Sequence, residues 1–289
     1  MLFYKVDIKV DEKMKKISMI QNLHTHTTFC DGRDTPEEMV RAAIECGFTS
    51  IGFSSHANTR FADSCEMGDR VFEYRREVTR LKGEYEGKIK IYLGTELDTY
   101  SDGYMDMSGY DYKIASTHYA VCQGEKICYD FSVAHAEDVI KRLLSGSGLE
   151  YARLYFETMA EMPKHISGDF VGHFDLLTKY EKNAPHLFDT GSREYRKMAL
   201  EALDAVRESF EVFEVNVGSV ARGYKDTPYP APFILDRMRE LDCKMIITTD
   251  CHNKKFLDFG FDDAVELLRS RGFSEIYNFD GKKFVGTKI

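Results

Sequence analysis

Seven times along this chain a short apolar run gives way to polar residues and then to a helix-forming stretch. The runs at 18–23, 50–54, 89–94, 112–116, 170–172, 212–217 and 244–248 read as strands. A helix between two strands makes them parallel and the crossover right-handed. The helices carry their own boundary signals. Thr35-Pro36-Glu37-Glu38 is a capping box with Pro at the first helical position. Val40, Ala43 and Ile44 then form its buried stripe, and Gly47 suits a left-handed cap. Tyr195, Ala199, Ala202, Leu203, Val206 and Phe210 keep helical spacing, as do Ala264, Val265, Leu267 and Leu268 before Gly272. Residues 69–85 also read as helix, and 134–160 as a second one broken near Gly146–Gly148. Asp280-Gly281 marks a tight turn in a terminal hairpin.

No linker or shift in composition interrupts the repeats. They predict one α/β domain over 17–289, an irregular, closed (β/α)7 barrel of seven strands, TIM-barrel-like in its layout. An open doubly wound sheet is the alternative. Residues 1–16 show no such pattern and stand as an N-terminal extension. At 43% hydrophobic and 30% charged, the chain has the makeup of a folded soluble protein. No stretch of about 18 apolar residues spans a membrane, and no signal-peptide core is visible. Seven cysteines, an odd number with no CxxC spacing, do not make a disulfide framework. A reducing, cytoplasmic setting follows. The net charge, 39 − 48 = −9, disfavours general nucleic-acid binding, which needs clustered Lys and Arg.

The nine histidines are not scattered. His24 and His26 follow the first predicted strand, His56 the second and His118 the fourth. His173 ends the fifth, and His252 follows the seventh. Barrel enzymes build their sites at these strand ends. Glu96 follows the third strand, Asp250 the seventh, and Asp31 lies just beyond the first histidine pair. His24/His26 and Asp250/His252 are i, i+2 pairs whose side chains share one face of extended backbone. Each residue alone has an ordinary reading: a packed imidazole, a turn acid at Asp31-Gly32, a solvated acid at Glu96. Six imidazoles and three carboxylates at one rim do not. Nine mixed N and O donors exceed one ion and suit two or three divalent ions, Zn, Mn or Fe rather than Mg or Ca. Three such ions against three carboxylates leave about three positive charges, a field matched to a phosphate dianion. A hydroxide generated on a metal is the corresponding nucleophile.

These residues resemble the polymerase and histidinol phosphatase (PHP) superfamily of metal-dependent phosphoesterases. The matching pieces are Leu23-His24-Thr25-His26-Thr27 with Asp31, Ser54-Ser55-His56, Gly94-Thr95-Glu96, Ser116-Thr117-His118, Gly172-His173-Phe174-Asp175-Leu176 and Thr249-Asp250-Cys251-His252. They run in the family's order from about residue 20 to the end. Lys179-Tyr180 after the fifth motif, and Glu214-Val215-Asn216 followed by Gly218 and Arg222, are most similar to the free-standing histidinol-phosphate phosphatases. The resemblance implies a trinuclear site in which Glu96 bridges two ions, and hydrolysis of a small phosphorylated substrate, histidinol phosphate, in histidine biosynthesis. Two positions depart from the pattern: Ser55 replaces a residue that is often acidic, and Cys251 one that is often small. A thiol there is either inert or a neighbour of the metal.

Asp250 and His252 are the candidate catalytic residues, for orienting the nucleophile or passing a proton. Arg222, Arg153 and Asn216 are the candidate substrate contacts, the arginines for phosphate. Glu157, one turn beyond Arg153, offers that arginine an ordinary ion pair instead. His135, His165 and His186 read as bystanders. A nucleotide or oligonucleotide phosphoesterase, a protein-tyrosine phosphatase and a non-catalytic metal-binding module remain the rival functions. The oligomeric state is open.

Overall fold

The computed structural model describes residues 21–289. The extension at 1–16 and the start of the first predicted strand lie outside the described residues. Seven parallel strands form one sheet in the order β1 (Gln21–Asn22), β2 (Ser50–Phe53), β3 (Lys90–Asp98), β4 (Tyr112–Ser116), β7 (Phe170–Val171), β8 (Val212–Asn216) and β9 (Lys244–Thr248). Between β4 and β7 lies an antiparallel hairpin, β5 (Tyr119–Cys122) and β6 (Glu125–Cys128). The chain ends in a second hairpin, β10 (Glu275–Phe279) and β11 (Phe284–Lys288). The helices are α1 (Pro36–Glu45), α2 (Val71–Glu84), α3 (Val133–Leu143), α4 (Gly148–Glu161), α5 (Arg193–Arg207), α6 (Gly218–Ala221), α7 (Pro232–Glu240) and α8 (Phe261–Ser270). The capping box at Thr35 and Glu38 forms as the sequence predicts. The break near Gly146 separates α3 from α4, with Gly146 in the left-handed region at φ 81°. The hairpin β5–β6 was not expected. Its two-residue turn, Gln123-Gly124, has both φ positive (51° and 82°), and Gln is not a usual signal for that turn.

The strands are apolar on both faces, and the two faces do different work. Ile51, Phe53, Ile91 and Leu93 point outward onto α1 and α2, while Ala115, Val171, Phe213, Val215, Met245 and Ile247 point outward beneath the other helices. Inward, Tyr92, Tyr112, Ile114, Phe170, Val212 and Ile246 fill the lower barrel, and Phe279 of the terminal hairpin joins them. Gln21 ties that hairpin on, donating from Nε2 to the Phe279 carbonyl (2.9 Å) and accepting from its N–H (2.8 Å). Two residues further along each strand the inner face turns polar, with Ser116, Glu214 and Thr248 all buried. An apolar plug therefore sits below a polar layer inside one barrel.

β1 and β9 close the ring at its upper rim. The His26 N–H donates to the Cys251 carbonyl (2.8 Å), and the Cys251 N–H to the His24 carbonyl (3.0 Å). Asn22 adds a side-chain bond to Thr249 (2.6 Å). The bonds that close the barrel thus belong to the two metal-type motifs themselves.

Tyr112 crosses the interior, its hydroxyl 2.5 Å from the Leu23 carbonyl and 3.1 Å from that of Phe53. It passes directly against Gly94: a Cβ there would lie 2.2 Å from Tyr112 Cζ. Gly94→Ala is expected to destabilise the fold by about 3 kcal/mol or more, because neither the ring nor the strand backbone can yield. Urea unfolding checks this, and a loss below ~1 kcal/mol would contradict the packing described.

Candidate metal centre

Glu96 reaches the polar layer because Tyr92, Gly94 and Glu96 alternate inward along β3. Its carboxylate is fully surrounded by imidazoles. Oε2 lies 3.2 Å from His24 Nε2, 3.3 Å from His26 Nε2 and 3.1 Å from His56 Nδ1. Oε1 lies 3.2 Å from His118 Nε2 and 3.1 Å from His173 Nε2, and accepts from the Ser116 hydroxyl (2.8 Å). Asp250 Oδ1 approaches His24 and His26 Nε2 at 3.5 and 3.2 Å. Asp31 faces His56 Nε2 (3.6 Å) and His252 Nε2 (3.2 Å). All nine predicted donors therefore converge. They fall into overlapping groups around His24, His173 and Asp250, around His26, Asp31, His56 and His252, and on either side of Glu96.

The arrangement demands cations. His24 Nε2, His26 Nε2, Glu96 Oε2 and His173 Nδ1 are buried and find no hydrogen-bond partner. Lone pairs facing one another out of water are costly unless positive charge lies between them. Protons alone meet that demand in the metal-free chain. Burial opposes protonation of His24, but Glu214, Glu96 and Asp250 outweigh it and push its pKa up to about 10. Burial likewise opposes ionisation of Glu96, yet His24, His118 and His56 hold it well below the usual carboxylate range. A mixed N/O donor set with unsatisfied, inward lone pairs fits divalent transition ions.

A second layer of side chains orients the donors. Glu214 Oε2 holds His24 Nδ1 at 2.9 Å, which aims Nε2 at Glu96 and Asp250. Its other oxygen accepts from the His173 N–H (2.6 Å) and from Asn216 Nδ2 (2.7 Å), and Thr248 donates to Oε2 (2.7 Å). Asp98 performs the same service for His118, 3.4 Å from its Nδ1 and accepting from its N–H at 2.7 Å. Asp250 adopts φ +45°, a conformation that Asp tolerates better than most residues. That turn brings its carboxylate to Arg222, which donates to Oδ2 (2.8 Å) and to the Asp250 carbonyl (2.9 Å). His252 Nδ1 lies 2.9 Å from both that carbonyl and the Arg222 guanidinium.

Two expectations change here, and an open one is decided. Asn216 is fully buried and spends its amide on Glu214 and on the Gly218 N–H, so it supports the donor layer and does not face the cavity. Arg153 is exposed on α4 and pairs with Glu150, not with Glu157, and the structure does not bring it to the site. Cys251 is buried, its thiol donating to the Asn253 carbonyl (2.9 Å), and burial pushes its pKa up to about 12, so it is inert. Arg222, by contrast, lines a cavity of about 500 Å³ beside the donors, as do Arg33 and Lys179, neither of which was singled out for the site. His135, His165 and His186 lie apart from the cluster, as expected. Glu214 was missed as a site residue. Its signal was an acid in the middle of an otherwise apolar strand, Val212-Phe213-Glu214-Val215.

A seven-stranded barrel that gathers nine metal-type donors at its strand C-termini defines a class of multinuclear metalloproteins. The sequence profile of the PHP domain family matches residues 22–218, and the chain belongs to that family. It is 24% identical over 267 residues to the histidinol-phosphatase of Bacillus subtilis, a match covering 84% of this chain and 97% of that protein. With the histidinol-phosphatase of Lactococcus lactis it shares 25% over 281 residues, 93% of this chain and 96% of the other. The crystal structure of the Lactococcus lactis histidinol phosphate phosphatase, complexed with zinc, L-histidinol and phosphate, superposes with a TM-score of 0.72 at 22% identity. That match covers 92% of this chain and 98% of the other, and it shows the shared fold.

Glu214→Gln is expected to weaken metal retention by about 10- to 100-fold, because the carboxylate that accepts from His24 Nδ1 and orients its ring is neutralised. Metal content measured after dialysis against chelators of graded strength tests this. Retention equal to that of the unmodified protein would mean that Glu214 has no part in the centre.

Proposed function

We infer that this protein is a metal-dependent phosphomonoesterase that hydrolyses histidinol phosphate to histidinol and phosphate. One observation carries the reading: five imidazoles packed around the buried Glu96, joined to His252, Asp31 and Asp250 in one cluster, in a chain that aligns with histidinol-phosphatases over most of its length. Divalent ions held there supply Lewis acidity and neutralise charge at the phosphoryl group. His24, His26, His56, His118, His173, His252, Asp31, Glu96 and Asp250 are proposed to hold them, with Glu96 facing two donor groups at once.

The other residues orient substrate and move protons. Arg222, Arg33 and Lys179 give the 500 Å³ cavity a cationic wall suited to the outer phosphate oxygens. Arg222 also clamps Asp250 and His252, which couples phosphate binding to the placement of the two proposed catalytic side chains. His252 has two useful states. With Nδ1 donating to the Asp250 carbonyl, Nε2 is a free donor atom beside Asp31. With Nδ1 accepting from Arg222, Nε2 carries the proton of a neutral imidazole and can donate a hydrogen bond to a leaving oxygen. Among the described residues no helix is long and apolar enough to cross a membrane.

A panel of phosphate-release assays on the metal-loaded protein tests the reading. Histidinol phosphate should be hydrolysed well ahead of nucleoside monophosphates, phosphotyrosine and a short single strand. His26→Ala should lower that activity by about a hundredfold or more, since it removes a donor shared by two groups. Equal rates across the panel, or full activity in the variant, would refute it.

A further inference from the structure

A second, smaller cavity of about 240 Å³ opens from the same donors. It shares Asp31, His56, His118, Asp130 and Lys179 with the larger one, so the two are lobes meeting at the metal centre. Their charge differs. Outside the nine metal-type donors, and among the described residues, the larger lobe carries Arg33, Lys179 and Arg222 against Asp130 alone, whereas the smaller carries Asp63, Glu66, Asp98 and Asp130 against Lys179 alone. At ~30 Å³ per water its volume holds about eight water-sized groups, the scale of a small organic alcohol.

Three of these four acids already face a basic side chain. Asp63 pairs with Lys126, and Asp130 with Lys179 at 3.3 Å. Asp98 accepts from the N–H groups of His118 and Tyr100 and faces the His118 ring. Glu66 is 5% exposed, and among the described residues its carboxylate bonds only to Thr59, accepting from its N–H (3.0 Å) and its hydroxyl (2.5 Å). Among the described residues it forms no ion pair. A buried carboxylate without a counter-charge is costly to keep, and here it borders an open cavity beside the reacting centre. Opposite charge is therefore expected from a ligand.

The remaining wall is aromatic. Tyr119 is buried in it, while Phe131 lies at its mouth with 72% of its surface exposed. A large apolar ring left in water beside a ligand cavity is placed to stack on a planar group or a cation.

Building on the phosphomonoesterase reading, we propose that this lobe is the leaving-group site, that Glu66 is the counter-ion for a cationic alcohol, and that Phe131 stacks on its ring. The phosphate end occupies the cationic lobe and the ions, and the alcohol end is directed across the shared donors into the acidic one. The lobe thus selects a leaving group with an ammonium and a flat heterocycle over a neutral one.

The test compares histidinol phosphate with glycerol phosphate as substrates of the metal-loaded protein. In Glu66→Gln, the ratio of kcat/KM for the two should fall at least tenfold, mainly through a higher KM for histidinol phosphate. Phe131→Ala, a surface change, should lower the same ratio. An unchanged ratio in both variants overturns the proposal. Should Glu66→Gln fail to fold, product inhibition of the unmodified protein decides the matter. Histidinol should bind at least tenfold tighter than 3-(imidazol-4-yl)propan-1-ol, which lacks the ammonium, and equal inhibition overturns the role of Glu66. Failure of the activity reading looks different: unmodified protein that releases phosphate from histidinol phosphate no faster than from glycerol phosphate.

Discussion

The structure depends on the burial of one carboxylate. Glu96 sits at the centre of the barrel with five imidazoles within 3.3 Å of its oxygens and no water-facing surface. Such a group is tolerated only where cations offset its desolvation. The surrounding imidazoles, the outer acids that orient them and the clamp of Arg222 on Asp250 all serve that balance. Glu214 and Asp98 then raise the basicity of the rings they hold, which increases the pull of the centre on metal ions. The site and the core of the upper barrel are the same set of atoms.

This coupling explains the barrel's irregularity. Among the described residues its ring closes through His24, His26 and Cys251, not through a full ladder between the first and last strands. Donors from opposite ends of the chain are therefore placed by the bonds that complete the fold. The lower barrel supplies rigidity, with Tyr112 spanning it and the terminal hairpin sealing it. A centre that must hold several ions at fixed spacing needs such a base, because donors on a flexible rim would not keep their geometry.

The strand ends carry the chemistry, and the two lobes divide it by charge. Net acidity and an anionic substrate are compatible because Arg33, Lys179 and Arg222 gather in the larger lobe, where the phosphate is proposed to bind. Lys179 is common to both lobes and pairs with Asp130, so it stands at the boundary between them. The partition also separates roles that one open pocket would blur: anion binding on one side, recognition of the alcohol on the other.

Much of this was legible in the chain alone. Short apolar runs separated by helical patterns located the seven strands to within a few residues, and β4 and β9 at the very residues expected. The nine donors were visible because imidazole and carboxylate at successive strand ends have few structural uses. What the sequence could not show is contact between side chains distant along it. Asn216 read as a substrate contact and Glu214 had no assigned role, yet Glu214 holds His24, 190 residues away, and Asn216 holds Glu214. Arg153 and Arg222 were equivalent as residue types; only the path of α4 across the outer surface excludes the first. Glu66 gave no signal, since an unpaired acid is recognised only when every nearby cation can be located. Local patterning determined the elements and the kinds of donor, because both follow from backbone period and residue chemistry. Tertiary structure decided which donors share an ion, which groups orient them and which charge stands alone, because burial and long-range proximity are properties of the closed barrel.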